Sequence, residues 1–236
     1  IKNNLETVDT YIDFESMHVL RKRKDLEYLK LVSAIETLIS NKEVLDKRSL
    51  SYKLSFYINS YNYHLIRLIN KNYLKDGKVI NTIKQLSNQN NSLDIFDRRF
   101  ILIEGERLSL NQLLKSKIFK LIKNADARVL FSLTSASVSS PFILNNSIRP
   151  DNLEYMLEEL SSRNIMLPRI FKYHKNDDQN FVSQIFHWHK TIFEWDQNGG
   201  ILGYLKNYLP TGSKFSTTFK YLDYDWRLKK NQIATR

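Results

Sequence analysis

The sequence predicts an α+β fold, a mostly helical single domain around a small antiparallel or mixed sheet. Three observations predict it. Apolar residues recur at three- and four-residue intervals over residues 9–40 and 54–69, the period of an amphipathic helix. Short β-forming runs flank a turn at Glu104, Gly105 and Glu106. The apolar run 127–133 has the length of a buried strand. With 236 residues, 42% of them hydrophobic, the chain encloses a sizeable core, and 13 Tyr and 13 Phe make much of that core aromatic.

In residues 9–40 the helical stripe is Leu20, Leu26, Leu29, Val32, Ile35 and Leu38. Residues 46–50 break it, with Ser49 or Ser51 available to cap the next helix. That helix, 54–69, is rich in rings and places Asn59 and Asn62 on one face. Residues 75–78 read as a turn, 79–86 as a short helix and 88–92 as a polar loop. After the hairpin at 99–108, Ser109 with Gln112 three residues on forms a capping box for a helix over 110–121. Residues 127–133 then supply the central strand, running into a serine-rich loop that ends at Pro141. Arg149 and Pro150 introduce a helix with Asp151 and Glu154 in its first turn. Residues 165–171 read as extended, and 181–195 as one amphipathic helix stopped by Gly199 and Gly200. Gly200 opens a last helix over 201–208, ended by Pro210, and the aromatic tail 220–228 is expected to tuck against the domain.

The absence of Cys excludes thiolate nucleophiles, disulfides and thiolate metal sites. A net charge of +11 favours weak, salt-sensitive attraction to nucleic acid or anionic surfaces. Specific nucleic-acid recognition is not expected. The densest basic run, Arg21 to Lys24, meets Asp25 and Glu27 at once, as on a solvated helix face, and no zinc pattern or stacking motif accompanies it. No stretch approaches the roughly 18 apolar residues of a membrane span. The chain begins at Ile1, as trimming or processing leaves it, which is compatible with a removed export leader.

The loop hydroxyls of Ser135 and Ser140 are the candidate nucleophiles. No His or carboxylate follows them closely, so they read as hydroxyls bonded to backbone, with His187 a weaker, distant base. His187 and His189 flank Trp188 at a spacing that points them apart on a helix, so no metal is expected, nor any cofactor. Tyr57, Asn59, Tyr61, Asn62, Arg128 and Trp188 are the candidates for lining a ligand groove. On the structural alternative, Asn59 and Asn62 seek loop carbonyls, and Arg128 pairs with Asp126, Asp225 or Glu104.

Several short signatures occur in a fixed order. They are Phe56-Tyr57-Ile58-Asn59-Ser60-Tyr61-Asn62, then Gly105-Glu106-Arg107-Leu108, then Asp126-Ala127-Arg128-Val129 and the loop 135–141. Ile185-Phe186-His187-Trp188, Gly199-Gly200, Tyr208-Leu209-Pro210 and Tyr221 to Trp226 follow. Over roughly residues 51–228 this order resembles a bacterial and plant family of unknown function, DUF547. The resemblance implies a DUF547-like α+β domain over 46–236, preceded by an N-terminal helical extension over 1–45. It also implies a papain- or transglutaminase-like fold, in which a Cys starts a helix and a His lies on the adjacent sheet.

The departures bear on function. The family's loop, Cys-Gly-Ala-x-x-Cys-Pro, has Ser135 and Ser140 in place of its cysteines. Its Arg-Val-His is Arg128-Val129-Leu130, its Glu-His pair is Leu114-Lys115, and the polar residue that often follows its late Trp is replaced by Ile192. The resemblance therefore implies a retained scaffold with dismantled chemistry: a non-catalytic, pseudoenzyme-like binding or structural protein. Its expected partner is another protein or a second copy, engaged through the N-terminal helical segment. The rival reading is a serine-dependent hydrolase or acyl-transfer enzyme at Ser135. The family habit of carrying export signals implies a bacterial cell envelope or periplasmic location, with the cytoplasm as the alternative.

Overall fold

The computed structural model describes residues 12–87, 94–122 and 125–229. Helices α1 (Phe14–Lys22) and α2 (Leu26–Ser40) form an N-terminal pair. Asp13 and Asp25 cap them, accepting from the backbone N–H of Ser16 and Tyr28, and Lys24 turns between them at φ 54°. The predicted helical stripe is thus split at the basic run. Residues 9–11 of that stretch, and the polar loop at 88–92, lie outside the described residues.

Ser49, of the two serines considered, caps α3 (Leu50–Lys71), which passes through the centre of the molecule. Ile58, Leu65 and Ile69 on it are wholly buried. Strands β1 (Leu74–Lys75) and β2 (Lys78–Val79) close a tight hairpin over Asp76 and Gly77, both at positive φ as a two-residue turn requires. The helix expected over 79–86 shortens to a 3-10 turn, Ile83–Leu86, held by a capping box between Thr82 and Gln85. Strands β3 (Ile101–Ile103) and β4 (Glu106–Leu108) pair antiparallel, as the Glu-Gly-Glu signal predicts. At their turn Gly105 has a left-handed φ of 74°, which favours Gly, and a side chain there would have to displace the flexible Lys42 side chain.

The capping box of Ser109 and Gln112 opens α4 (Leu110–Leu113), and the same rod continues through a π-helical turn, Leu114–Ile118, into α5 (Phe119–Leu121). The expected central strand is not a strand: Ala127–Ser132 is a 3-10 helix, capped by Asp126 and packed against α6 (Leu153–Ile165). Apart from Arg128 this run is buried, and an apolar run buried on all sides carries no period that separates helix from strand. Asp151 lies before α6, whose cap is Asn152, so only Glu154 occupies the first turn.

A three-stranded mixed sheet follows, with β5 (Phe171–His174) antiparallel to β6 (Gln179–Val182) and β7 (Phe219–Tyr221) parallel to β6. The extended segment expected at 165–171 therefore begins only at its last residue. The single helix expected over 181–195 resolves into the end of β6, then α7 (Gln184–Trp188) and α8 (Lys190–Trp195), which meet at His189. Helix α9 (Gly200–Tyr208) follows Gly199, which turns in at φ 75°. The class is α+β as predicted, with its strands divided over three small sheets.

An aromatic cluster joins the C-terminal helices to the 3-10 segment. Phe131 stacks on Tyr204 at 5.8 Å and packs against Phe186 and Phe193, all of them fully buried. Asn164 of α6 is a buried hub beside it: its Nδ2 donates to the carbonyls of Phe131, Phe142 and Leu160, and its Oδ1 accepts from Phe142 N–H.

Candidate functional site

The serine loop is fixed from two sides. On the α3 side, Asn62 Nδ2 donates to Ser132 O at 2.8 Å and its Oδ1 accepts from Thr134 N–H at 3.0 Å. Asn59 does the same one turn earlier, on Ile148 O and N–H. On the other side the C-terminal tail zips onto the loop: Val138 N–H donates to Arg227 O, and Ser139 N–H to Asp225 O. Ala136 sits between these supports at φ 55°, a left-handed conformation in a buried residue with a side chain.

Within this frame the Ser135 hydroxyl bonds to Ser137 Oγ at 2.6 Å and to Tyr224 OH at 2.8 Å. The Ser140 hydroxyl is buried against Thr134 Oγ1 and donates to the carbonyls of Ser137 and Pro141. Among the described residues, no imidazole or carboxylate is hydrogen-bonded to either serine. Burial pushes the Tyr224 phenol up from its ordinary range, so it keeps its proton and is no phenolate base for Ser135.

A cavity of about 390 Å³ lies over Ser135. Leu114 and Lys115 reach it from the π-helical turn, Leu130 from the 3-10 helix, and His189 from the α7–α8 junction. The π turn adds a residue per turn and so re-aims its side chains; such bulges are frequent at functional sites. Rings form much of the wall. Trp188 stacks on Trp226 at 5.5 Å, Tyr224 packs against both, and Tyr61 contributes from α3.

Of the predicted groove residues, then, Tyr61 and Trp188 line this cavity with Ser135. Asn59 and Asn62 line a separate, smaller space of about 160 Å³ beneath residues 143–148. Tyr57 points to the β3–β4 turn, where its hydroxyl donates to Glu104 at 2.6 Å. Arg128 pairs with Asp126 through two parallel bonds and with Glu154 and Glu158 of α6. Its other two expected partners are engaged elsewhere, Asp225 by Arg227 and Glu104 by Tyr57 and Lys117.

His187 is exposed against the ring of Tyr221 and does not border the cavity. His189, two residues on, does. Helical spacing from His187 hides this, because the helix breaks at His189 itself. Burial, with help from the charge of Lys115, pulls the His189 imidazole down to about 4, so it is neutral at neutral pH. Among the described residues, no three His, Asp or Glu side chains gather as metal ligands. No helix there is long and apolar enough to cross a membrane.

The fold and this site define an α+β domain with a ring-walled cavity closed by its own C-terminal tail. The family model described as "Protein of unknown function, DUF547" matches residues 45–164, half of the chain, and the protein belongs to that family. The match contains α3, the π turn, the 3-10 helix and the serine loop, while α7, α8 and the tail complete the cavity from outside it. No curated protein and no solved structure matches the chain.

Proposed function

We propose that this chain is a non-catalytic member of DUF547, a binding protein that keeps the cavity of its family and has lost the chemistry at its floor. One observation carries this reading. Among the described residues, the Ser135 hydroxyl is bonded only to a serine and a tyrosine hydroxyl, with no hydrogen-bonded group able to take its proton. The positions where the resembled family carries its first loop Cys, its His and its Glu-His are Ser135, Leu130 and Leu114-Lys115, and these face one cavity here, whereas Ser140, at the second Cys position, is buried outside it. That convergence supports a papain- or transglutaminase-like ancestry for the site. His189 is no replacement base, because an imidazole titrating near 4 without a bond to Ser135 is too weak an acceptor.

A broad fluorophosphonate probe tests the reading. The protein should remain unlabelled under conditions that label a serine hydrolase completely. Labelling that disappears in Ser135→Ala would establish the rival acyl-transfer enzyme.

The macromolecular partner we place on α2, whose Leu26, Leu31 and Leu38 are 72%, 61% and 52% exposed. Leu31 and Leu38 are seven residues apart, hence on one face, and exposed leucines in a row are what a helix-packing partner covers. Leu31→Glu with Leu38→Glu should abolish concentration-dependent association in sedimentation. Identical behaviour of this variant and the parent would remove α2 as the contact face. An envelope or periplasmic location accords with this reading.

A further inference from the structure

The cavity over Ser135 is bordered by two opposite charges that do not neutralise each other. Lys115 stands on the π-helical turn and Asp94 on the segment leading towards β3. Neither has an ion-pair partner among the described residues, and both are exposed, which puts them at the cavity mouth. They act on different walls. The Lys115 charge bears on His189, whereas the Asp94 charge bears on Tyr61. One oxygen of Asp94 accepts from Phe96 N–H, which leaves the other for a ligand.

The same cavity is walled by Trp188, Tyr224 and Trp226, with ring centroids 4.5 to 5.5 Å apart. A volume of about 390 Å³ suits a small organic molecule, since such sites run from about 300 Å³ upward. Neutral imidazole offers one N–H, and neither ring nitrogen of His189 has a hydrogen-bond partner among the described residues. Lys115 and His189 thus supply the donors for a carboxylate, and Asp94 the acceptor for an ammonium.

We propose that this cavity binds a small zwitterion with an aromatic or large apolar body, its carboxylate at Lys115 and His189, its ammonium at Asp94, and its body on the Trp188–Tyr224–Trp226 wall. The proposal rests on the non-catalytic reading, because it uses the cavity for reversible binding. Two sources share this chemistry, a free aromatic amino acid and a short peptide ending in one.

Isothermal titration calorimetry on the full chain tests it with L-tryptophan, N-acetyl-L-tryptophan, L-tryptophanamide and glycyl-L-tryptophan. L-tryptophan or the dipeptide should bind, and each singly charged form should bind about tenfold or more weakly, the loss of one charge-assisted contact. Tighter binding of glycyl-tryptophan assigns the ligand to peptides, and tighter binding of tryptophan to free amino acids. Lys115→Met should weaken tryptophan about tenfold while leaving tryptophanamide unchanged, and Asp94→Asn should do the mirror image with the N-acetyl form. Both are exposed positions, so loss of folding does not confound them. Equal affinity for capped and zwitterionic forms would overturn the proposal, as would no binding of any of the four. A silent fluorophosphonate probe alongside that failure leaves the non-catalytic reading intact, whereas labelling at Ser135 removes that reading separately.

Discussion

Ala136 bears most directly on the shape of the site. It occupies the left-handed region at φ 55°, a conformation that favours Gly, the residue the resembled loop has there. A Cβ there costs about 1–2 kcal/mol, partly offset by reduced freedom of the unfolded chain. Ala136→Gly should therefore leave stability within about 1 kcal/mol of the parent, whereas the β-branched Ala136→Val should lose about 2 kcal/mol or more. Urea unfolding of the two variants distinguishes this from a relaxed turn, in which both would behave alike.

Two histidines carry a pH prediction at the same scale. Burial pulls both His64 and His189 down to about 4 from an ordinary 6.5, most of it desolvation of the charged ring. A folded-state value below the unfolded one means that the unfolded chain takes up protons first as pH falls. The stability these groups confer is then complete above about pH 6.5, declines below it, and is lost by about pH 4. A shift of this size corresponds to up to about 3 kcal/mol per group, less where the ring is partly exposed. The unfolding free energy should fall over that window, and His64→Gln should remove part of the slope. A slope unchanged by the substitution would show that other groups carry it.

At the scale of elements, α3 is the organiser. Its Asn59 and Asn62 each close a two-bond bracket on a loop, and those brackets hold the segments on either side of the serine turn. Asn62→Ala leaves a carbonyl and an N–H without their partner, at about 1–3 kcal/mol. A drop in stability of about 2 kcal/mol, with faster amide exchange at Thr134, is the expected result. Exchange unchanged at Thr134 would mean that the tail alone fixes the loop.

The paired asparagines were legible because two amides on an aromatic helix face must find partners. The identity of those partners was not, since they lie 70 and 89 residues away. The contact of the N-terminal pair with α3 is rougher. Tyr28 OH donates to Asn70 Oδ1, yet Asn70 Nδ2, His64 Nε2 and Arg67 Nη1 on α3 and Arg21 Nε on α1 are buried without partners among the described residues. Unmet polar groups of this kind make a contact weaker than its area suggests.

For the whole molecule, the charge of +11 predicts a general behaviour separate from the cavity. Retention on an anionic matrix should be strong at low salt and fade steeply towards physiological ionic strength, as counterion release requires. Binding that survives about 0.5 M salt would point instead to a specific nucleic-acid or polyanion site.

Local chemistry determined much of this protein from its sequence. The helical stripes, the caps at Ser49 and Ser109, and the glycine turn at Gly105 follow from short-range sterics and hydrogen bonds, which act over a few residues. The missing thiol is equally a property of the sequence. The tertiary structure alone decided that residues 127–132 coil rather than extend, because a segment buried on every side has no exposed face to mark its period. It also decided that His189 and not His187 reaches the cavity, and that the tail closes over Ser135. Those outcomes depend on which distant surfaces meet, a matter of packing and desolvation that no run of neighbouring residues encodes.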